Sequence, residues 1–394
     1  MNLEDIIQKT KTYYCLECGK CTSICPIARY DPAFSPRMMI ENALLGFEDE
    51  LVLNQKLFSC LTCYTCQKEC PSDVDFPLFV REARSIAQDT GQHGICAHSG
   101  QLQSLAKLMT SPTIKQKRLE WLSKEYSVSE NSDVLLWVGC APYFEPIFED
   151  IEFNALDITK ASLKTLNLLG IKPKLLPDEK CCGHDALWTG DIETFKKLAE
   201  HNATQIKEAG VKKIVFSCPE GYRTFKLDYP NYGFDVGCEV QHISELLVEK
   251  IGQKGVKFKE RKEKASSIIK VTYQDPCRLG RHLGVYDAPR KVIESIPGIE
   301  LVEMRHSGLE SICCGTSAFT NCDSYSNMLR SERLSEAVET GAELLITACP
   351  KCQTHFRCAM VDKGEEHRPT PKIEIMDLAN LVANAIGEGG NVIK

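Results

Sequence analysis

The most chemically informative residues of this chain form two cysteine runs with the same internal spacing. In both runs two, two and three residues separate successive cysteines and a proline follows the fourth; the runs are Cys15-Cys18-Cys21-Cys25 and Cys60-Cys63-Cys66-Cys70. This spacing is typical of bacterial ferredoxins, whose thiolates bind 4Fe-4S cubanes. Zinc also binds C-x2-C pairs, but the doubled run with its prolines favours two cubanes.

Ferredoxin runs exchange their fourth ligands. The first three thiolates hold one cluster from a tight turn, and the fourth points away to the other cluster. The predicted ligand sets are therefore Cys15, Cys18, Cys21 and Cys70 for one cubane, and Cys60, Cys63, Cys66 and Cys25 for the other.

Cysteine number and compartment also favour metal ligation over disulfides. The chain contains 21 cysteines, and its start, MNLEDIIQKTKTYY, has neither signal-peptide nor transit-peptide character. Because disulfides are rare in the reducing cytosol, we expect a cytoplasmic protein whose thiols bind metal. No apolar run approaches the ~18 residues that span a bilayer, so we expect no direct membrane span. Any membrane binding would be peripheral, at the inner face and through a partner.

Length and composition place the chain among globular proteins with more than one domain. Its 394 residues exceed what one hydrophobic core usually serves, and 43% of them are hydrophobic and 26% charged. The formal net charge is -7. This acidic balance argues against nucleic acid as a partner.

Helical patterns accompany the two runs. Between the runs, Ser35 precedes apolar residues at helical spacing, and after the second run Phe76 opens another amphipathic pattern. We predict a helical ferredoxin domain over residues 1–95. A linker should follow over 96–131, with a short helix at 116–125.

The remainder of the chain repeats one series of elements. Each copy has a strand ending near a cysteine, a helix, a Cys-Cys-Gly turn, a second helix and a strand ending in Cys-Pro. Equivalent cysteines lie 137, 132 and 131 positions apart: Cys140 and Cys277, Cys181 and Cys313, Cys218 and Cys349. The nearly constant offset predicts two homologous α/β units, over 132–262 and 263–394.

The thiols of the second repeat follow strands or lie in a turn, where ligands of α/β folds usually bind. Five of them are expected to converge: Cys277, Cys313, Cys314, Cys349 and Cys352. Four thiolates suffice for a cubane or a zinc ion, so five favour an unusual cluster.

This five-cysteine pattern resembles the cysteine-rich (CCG) domain of heterodisulfide reductases and related iron–sulfur subunits. The spacing fits to within one residue, and the ferredoxin part, with ALLG at 43–46 and SCLTCYTCQKECP at 59–71, looks like the small ferredoxin subunit fused to the catalytic subunit. The resemblance covers nearly the whole chain. It implies an α+β multidomain fold, with an N-terminal helical two-cluster ferredoxin domain followed by two homologous α/β CCG repeats.

The resemblance also implies a cofactor and a reaction. In that family each complete five-cysteine motif carries a noncubane 4Fe-4S cluster, and disulfides are cleaved between two such clusters by successive one-electron steps. By resemblance, the residues that hold one such cluster and carry the catalysis are Cys277, Cys313, Cys314, Cys349 and Cys352.

The first repeat departs from the family pattern at one ligand. Gly221 stands where the final cysteine is expected, and the remaining thiols are Cys140, Cys181, Cys182 and Cys218. Four alternatives are open for this site: zinc, a cubane, a noncubane cluster with Glu220 or His184 as substitute ligand, and no metal.

Polar residues beside the motifs are further candidates. His184 either protonates a leaving thiolate or hydrogen-bonds to a cluster sulfide. Lys351 raises the potential of a cluster or pairs with an anionic substrate, with a solvated lysine as the simpler alternative. An anion site or a solvated surface is expected of three residues after Cys277: Arg278, Arg281 and His282.

Cysteines outside the motifs are expected to be buried packing residues. They are Cys96, Cys238, Cys322 and Cys358.

Two functions fit these observations. The first is a disulfide reductase in which two cubanes supply electrons to a noncubane cluster that reduces or forms a disulfide. The second is a pure electron relay, similar to the iron–sulfur subunits of anaerobic glycerol-3-phosphate, glycolate or lactate dehydrogenases that feed quinone. Both need redox partners, such as a flavoprotein, a hydrogenase- or dehydrogenase-type donor or a membrane cytochrome. The reductase also needs a small thiol or disulfide substrate.

Overall fold

A computed structural model of the chain describes residues 2–95, 97–252, 258, 268–320, 322–361 and 370–386. They form two compact units. The first comprises Met1–Ser111, Gly183–Lys197 and Ile312–Arg333, and the second comprises Pro112–Cys182, Leu198–Ser311 and Leu334–Lys394.

The amino-terminal part of the first unit is helical. Its helices are α1 (Leu3–Lys9), α2 (Lys20–Ser23), α3 (Pro36–Leu44), α4 (Glu48–Val52), α5 (Thr65–Lys68), α6 (Phe76–Asp89) and α7 (Gln101–Met109). A short 3-10 turn precedes each cysteine run, at Thr12–Tyr14 and at Gln55–Ser59. The predicted helical character of the ferredoxin region is confirmed.

Capping side chains begin both of the predicted helices. The Ser35 hydroxyl accepts the backbone N–H of Met38 at 3.3 Å, with Pro36 at the first position of α3. The Asp75 carboxylate accepts the N–H of Leu78 at 3.0 Å and begins α6. Helix α6 then buries its apolar face, which places a stiff helix beside the second cysteine run.

The prediction of a short helix at 116–125 is wrong, because the backbone there forms turns. The cause is tertiary: the Arg118 side chain is buried and donates hydrogen bonds to the Glu179 carboxylate and to the Gly139 carbonyl. Burying this ion pair outweighs a weak local preference for helix. Part of the segment expected to be a linker is instead α7.

The first repeat contains β1 (Val134–Trp137), α8 (Ala141–Ile147), α9 (Ala155–Leu168), α10 (His184–Thr189), α11 (Ile192–Ala209), β2 (Lys213–Phe216), α12 (Pro219–Arg223), α13 (Tyr229–Asn231), β3 (Glu239–His242) and α14 (Ile243–Gly252). Its three strands form a parallel sheet in the order β1-β2-β3.

The second repeat contains β4 (Ile269–Gln274), α15 (Asp287–Glu294), β5 (Ile299–Leu301), α16 (Ser324–Glu339), β6 (Leu344–Thr347), α17 (Pro350–Val361), β7 (Glu374–Asp377) and α18 (Leu378–Ile386). Its parallel sheet has the order β5-β4-β6-β7. Strands β4, β6 and β7 correspond to β1, β2 and β3. The α+β multidomain class and the internal repeat are confirmed.

Parallel pairing explains why the motifs follow these strands. Residues 135–137 of β1, 214–216 of β2 and all of β6 are buried, because helices cover a parallel sheet on both faces. The carboxyl ends of β1 and β2 lie together, and so do those of β4 and β6. Cysteines that follow these strands are thereby brought to one edge of each sheet.

Within the second unit the two repeats contact each other through their helices. Helix α9 packs on α18, where the Asn380 amide donates to the Asp157 carbonyl at 3.2 Å, and α14 packs on α15. No helix in the described ranges combines the length and hydrophobicity needed to cross a membrane.

A glycine lets α10 approach α6 within the first unit. Gly190 has a φ of +94°, and a Cβ there would lie 2.5 Å from the backbone carbon and oxygen of Arg84. We predict that Gly190→Ala lowers the free energy of unfolding by about 3 kcal/mol, because left-handed strain adds to a backbone clash. Chemical denaturation measures the change.

Gly210→Ala is the matched control, since Gly210 also has a positive φ of +64° but its added Cβ would meet no atom within 4 Å. This variant carries strain alone and should lose only about 1 kcal/mol. Equal losses in the two variants would contradict the proposed close approach of α10 to α6.

Candidate metal centres

The first cysteine run surrounds a cavity on the first unit. Among the residues that line this cavity are Cys15, Cys18, Cys21 and Cys70. The Cys18 side chain is exposed, and the backbone N–H of Glu17 donates to the Cys15 sulfur at 3.4 Å. The cavity thus brings together the four thiols predicted for one cubane, with Cys66 also in its wall.

The second run has the same loop conformation. Thr62 and Tyr64 have φ values of +46° and +67°, as Glu17 and Gly19 do at the equivalent places with +52° and +77°. The backbone N–H of Thr62 donates to the Cys60 sulfur at 3.3 Å. Amide groups aimed at thiolate sulfur in a tight turn are suited to holding an anionic cluster.

The thiols of the second run form their own buried group. Burial raises the pKa of the Cys66 thiol well above its ordinary value, and neighbouring Cys60, Cys63 and Cys25 raise it further. Burial likewise raises the pKa of Cys25, with Cys60 and Cys63 adding to it. Because the thiolate is the ligand form, metal binding at this group must release protons.

In the first repeat four thiols converge in the second unit: Cys140, Cys181, Cys182 and Cys218. The sulfurs of Cys140 and Cys181 lie 3.7 Å apart. A hydrogen bond with Cys181, followed by burial and the charges of Cys140 and Cys218, raises the pKa of the Cys182 thiol. Two thiolates on one tetrahedral metal with bonds of about 2.3 Å lie about 3.8 Å apart, so Cys140 and Cys181 suit a shared metal atom.

A buried ion pair holds the loops that carry these thiols. Arg118 donates to the Glu179 carboxylate at 2.5 Å and to the Glu179 carbonyl at 2.5 Å. The same carboxylate accepts the backbone N–H of Gly139 at 2.6 Å. The clamp fixes the residues immediately before Cys140 and two positions before Cys181.

Two further side chains hold the Cys-Cys pair of this repeat. The Asn202 amide donates to the Cys181 carbonyl at 3.0 Å, and the Tyr229 hydroxyl donates to the Cys182 carbonyl at 3.2 Å. Neither residue was identified from the sequence, and neither was Arg118 or Glu179. No local signal marks them, because each is distant along the chain from at least one group it binds.

The space beside Gly221 is filled by aromatic rings. A Cβ at this position would lie 3.2 Å from Phe216 and 3.8 Å from Trp137, whose rings have centroids 6.1 Å apart. A side chain at this position would therefore require the Phe216 ring to shift by a few tenths of an ångström. The position that lacks the fifth thiol thus lies against two aromatic rings.

Glu220 and Lys351 occupy equivalent positions in the two repeats and form an ion pair of 2.5 Å. The expectation of a solvated lysine is wrong, because Lys351 is buried. Burial and then Cys349 and Glu220 raise the pKa of the Cys218 thiol, and Lys351 lowers it. The pair therefore lies beside the Cys-Pro turns of both repeats.

The expectation of a solvated surface is also wrong for Arg278 and Arg281, because both side chains are buried. Arg278 contacts the His282 Nε2 at 2.7 Å, and Arg223, which is ion-paired with Asp228, donates to His282 Nδ1 at 3.0 Å. Arg281 instead donates to the Ser311 carbonyl at 2.5 Å. Two guanidinium groups thus meet at one imidazole close after Cys277.

The five cysteines of the complete motif are distributed over both units. Cys277 follows β4, while Cys349 and Cys352 lie at the start of α17, all in the second unit. Cys313 and Cys314 are buried residues of the first unit. Their joint ligation of a cluster stays a prediction.

The glycine after each Cys-Cys pair has a steric reason. Gly183 and Gly315 have φ values of +82° and +89°. A Cβ on Gly183 would lie 2.8 Å from Phe195, and one on Gly315 would lie 2.8 Å from the Ser326 carbonyl oxygen. Glycine is needed because these turns pass this close to α11 and α16, respectively.

His184 is buried, and its Nδ1 lies 2.9 Å from the Asp185 carboxylate. The ring stacks on Trp188 with centroids 6.1 Å apart. Asp185 was not identified from the sequence, although its carboxylate orients the imidazole. A role for His184 in proton transfer stays a prediction.

The cysteines outside the motifs were expected to be buried. This expectation is wrong for Cys322, which is exposed, and Cys238 and Cys358 are only half-buried. The Arg330 guanidinium lies 3.3 Å from the Cys322 sulfur. Cys96 lies outside the described residues.

Family models match both parts of the chain. A 4Fe-4S dicluster domain matches residues 11–74, and a cysteine-rich domain (CCG) matches residues 134–226 and 271–357. The fold and the cysteine sites therefore define an iron–sulfur protein that joins a dicluster ferredoxin domain to two cysteine-rich domains.

Comparison with individual proteins gives more detail on this class. The chain is 28% identical to a subunit of the dihydromethanophenazine:CoB–CoM heterodisulfide reductase of Methanosarcina barkeri, over 95% of this chain and 93% of that one. It is 24% identical to the probable iron-sulfur-binding oxidoreductase FadF of Bacillus subtilis, over 95% of this chain and 60% of the other. A hypothetical protein from Helicobacter pylori shares the fold, with a TM-score of 0.54 at 12% identity over 98% of this chain and 72% of the other.

The chain therefore carries a dicluster ferredoxin domain and two cysteine-rich domains, and it is similar to this heterodisulfide reductase component over 95% of its length. The resemblance stated from the cysteine motif is confirmed. The protein is an oxidoreductase subunit that binds 4Fe-4S clusters.

The ion pair between Arg118 and Glu179 gives a stability prediction. Arg118→Met should lower the free energy of unfolding by about 3–5 kcal/mol, because it leaves the Glu179 carboxylate buried without its cation. Guanidinium denaturation of the purified protein measures the loss.

The double variant Arg118→Met with Glu179→Leu is the control, since replacing both partners by apolar groups removes the uncompensated charge. We expect it to recover at least half of the loss. A single variant as stable as the wild type would contradict the clamp.

Proposed function

We propose that this chain is the disulfide-reducing subunit of a multi-subunit redox complex. The observation that carries the proposal is the complete motif Cys277, Cys313-Cys314 and Cys349-x2-Cys352, which supplies one thiolate more than a cubane needs. Similarity to a heterodisulfide reductase component over 95% of the chain supports it.

In this proposal the ferredoxin domain holds two cubanes. One is bound by Cys15, Cys18, Cys21 and Cys70, and the other by Cys60, Cys63, Cys66 and Cys25. Two observations support the assignment: the first four thiols share a cavity, and Cys60, Cys63 and Cys66 are buried, with Cys25 among the neighbours of Cys66. The exposed Cys18 side chain marks the first site as the one accessible to a redox partner.

The third site is the noncubane cluster of the second motif. When bound, the three clusters would supply one-electron transfer, and reduction of a disulfide takes two electrons and two protons to give two thiols. Near this motif Arg278 and His282 would attract an anionic group of the substrate. Arg278 is buried, and its Nη1 lies 4.0 Å from the Cys277 sulfur. His184, oriented by Asp185, is the proposed proton donor to a leaving thiolate.

The first repeat holds a different occupant in this proposal. The 3.7 Å separation of the Cys140 and Cys181 sulfurs suits zinc, or a noncubane cluster with both thiolates on one iron. It does not suit a cubane, in which each cysteine binds its own iron. Because Lys351 engages the Glu220 carboxylate, Glu220 is a poor substitute ligand.

A second candidate function is a pure electron relay to a quinone-linked partner. The packing of Phe216 against Gly221 favours it, because a site between two equal noncubane clusters would need a fifth thiol in the first repeat. Similarity to the iron-sulfur-binding oxidoreductase FadF also supports it. In the relay the second motif passes electrons onward and binds no substrate sulfur.

Iron content tests the ferredoxin assignment. Cys18→Ala should remove the cubane of the first run and lower iron by about four atoms per chain, because a cubane needs all four thiolates. Anaerobic iron analysis with electron paramagnetic resonance measures the loss. The other cubane signal is the internal control, and unchanged iron would contradict the assignment.

Thiol–disulfide turnover tests the reductase function. Cys314→Ala should abolish turnover with a small disulfide, whereas Cys182→Ala should mainly lower stability, because only the second motif offers five thiolates. Turnover is measured with reduced viologen dye as donor.

Two outcomes would redirect the proposal. Equal losses in the two variants would mean that the first repeat contributes to a shared site. If the wild type leaves disulfides intact but its complex reduces a quinone analogue from a hydroxy acid or glycerol phosphate, the relay replaces the reductase.

A further inference from the structure

A fully buried arginine of α6 holds the loop that leads into the second cysteine run. The Arg84 Nη2 donates to the carbonyls of Leu57 at 3.0 Å, Phe58 at 3.1 Å and Cys60 at 2.7 Å. Its Nε donates to Leu57 at 3.2 Å. One planar guanidinium therefore fixes three peptide groups that lead into, and include, the first cysteine of the run.

The same guanidinium also binds the segment that follows the first Cys-Cys-Gly turn. The Arg84 Nη1 donates to the Trp188 carbonyl at 2.8 Å, and one turn later on α6 the Gln88 amide donates to the Thr189 carbonyl at 2.8 Å. These carbonyls lie in the last turn of α10, where the helix dipole is negative, which favours a cation. All these residues belong to the first unit.

The second Cys-Cys-Gly segment binds the same cysteine loop within the first unit. The hydroxyls of Thr62 and Ser317 share a hydrogen bond of 3.0 Å, and both residues are buried. Thr62 lies between Cys60 and Cys63. The loop of the second run is thus held by α6 and by segments of both repeats.

The first run is more exposed than the second. Tyr14 and Leu16, on either side of Cys15, are 55% and 69% exposed, whereas Ser59 and Leu61, on either side of Cys60, are buried. Water screens charges near the first run, but it screens them far less in the second. The two cysteine runs therefore have the same spacing in different electrostatic surroundings.

The charge of Arg84 acts directly on the second run. A guanidinium stays protonated at every accessible pH, and carbonyl groups carry no net charge of their own. Its 2.7 Å hydrogen bond to the Cys60 carbonyl places this charge on the backbone of a predicted ligand residue. Reduction adds a negative charge to a cluster, and a nearby buried cation stabilises that charge.

We propose that Arg84 is a positioning residue that raises the reduction potential of the site formed by Cys60, Cys63, Cys66 and Cys25 above that of the first run. The inference rests on the proposed binding of two cubanes. It gives electron flow a direction, from the exposed first run inward to the buried second run. The positive charge of Arg84 and its place beside Cys60 carry the effect.

A matched pair of variants separates charge from shape. Arg84→Lys keeps the cation but loses the fork of hydrogen bonds, and Arg84→Gln keeps amide donors but loses the cation. Redox titration monitored by electron paramagnetic resonance gives a potential for each cubane. Arg84→Gln should lower the reduction equilibrium constant of the second-run cubane at least tenfold, which is about 59 mV for one electron, and Arg84→Lys should lower it less than about threefold.

The first-run cubane is the internal control and should keep its potential in both variants. Lys107→Met removes an exposed positive charge from α7 in the same unit and should leave both potentials unchanged. Unchanged potentials in an iron-replete Arg84→Gln protein would overturn the inference, and so would equal shifts in Arg84→Gln and Arg84→Lys. Wild-type protein with fewer than two cubanes would instead refute the proposed function.

Discussion

The interaction on which the rest of the structure depends is the crowding of cysteine thiols in buried loops. Cys140 and Cys181 lie 3.7 Å apart, and neighbouring thiols raise the pKa of Cys66 and Cys182. Thiolates this close are stable only when a metal cation offsets their charge. Amide groups in tight turns and buried clamps such as Arg118 hold the loops that carry these thiols.

The internal repeat provides one scaffold with two outcomes. Strand ends and the glycine turns at Gly183 and Gly315 are common to both copies, because parallel pairing and close helix approach demand them. One position then divides the copies: Phe216 packs where Gly221 lacks a side chain, whereas Cys352 occupies the equivalent place. The residue type at this one position separates the four thiols of the first repeat from the five of the second.

Cysteine sites with the same sequence spacing differ in the charged side chains that lie near them. Lys351 and Glu220 form an ion pair beside the Cys-Pro turns of the two repeats, so their opposite charges largely cancel. Arg84, by contrast, directs its hydrogen bonds to the carbonyls of Leu57, Phe58 and Cys60, so its charge acts on the second cysteine run. Such differences in surroundings would give each of the proposed clusters its own potential.

The sequence by itself determined the cysteine runs, the repeat and the start of α3, because ligand spacing, strand hydrophobicity and the Ser35 cap are local properties. Only the tertiary structure decided the environment of the sites. In the folded chain Lys351 is buried, and the buried Arg118 side chain keeps residues 116–125 from forming a helix. Arg84 binds the Cys60 carbonyl, although the two residues are 24 positions apart in the sequence. The physical reason is that desolvation and ion pairing depend on which distant groups fold together, and no local pattern encodes that partnership.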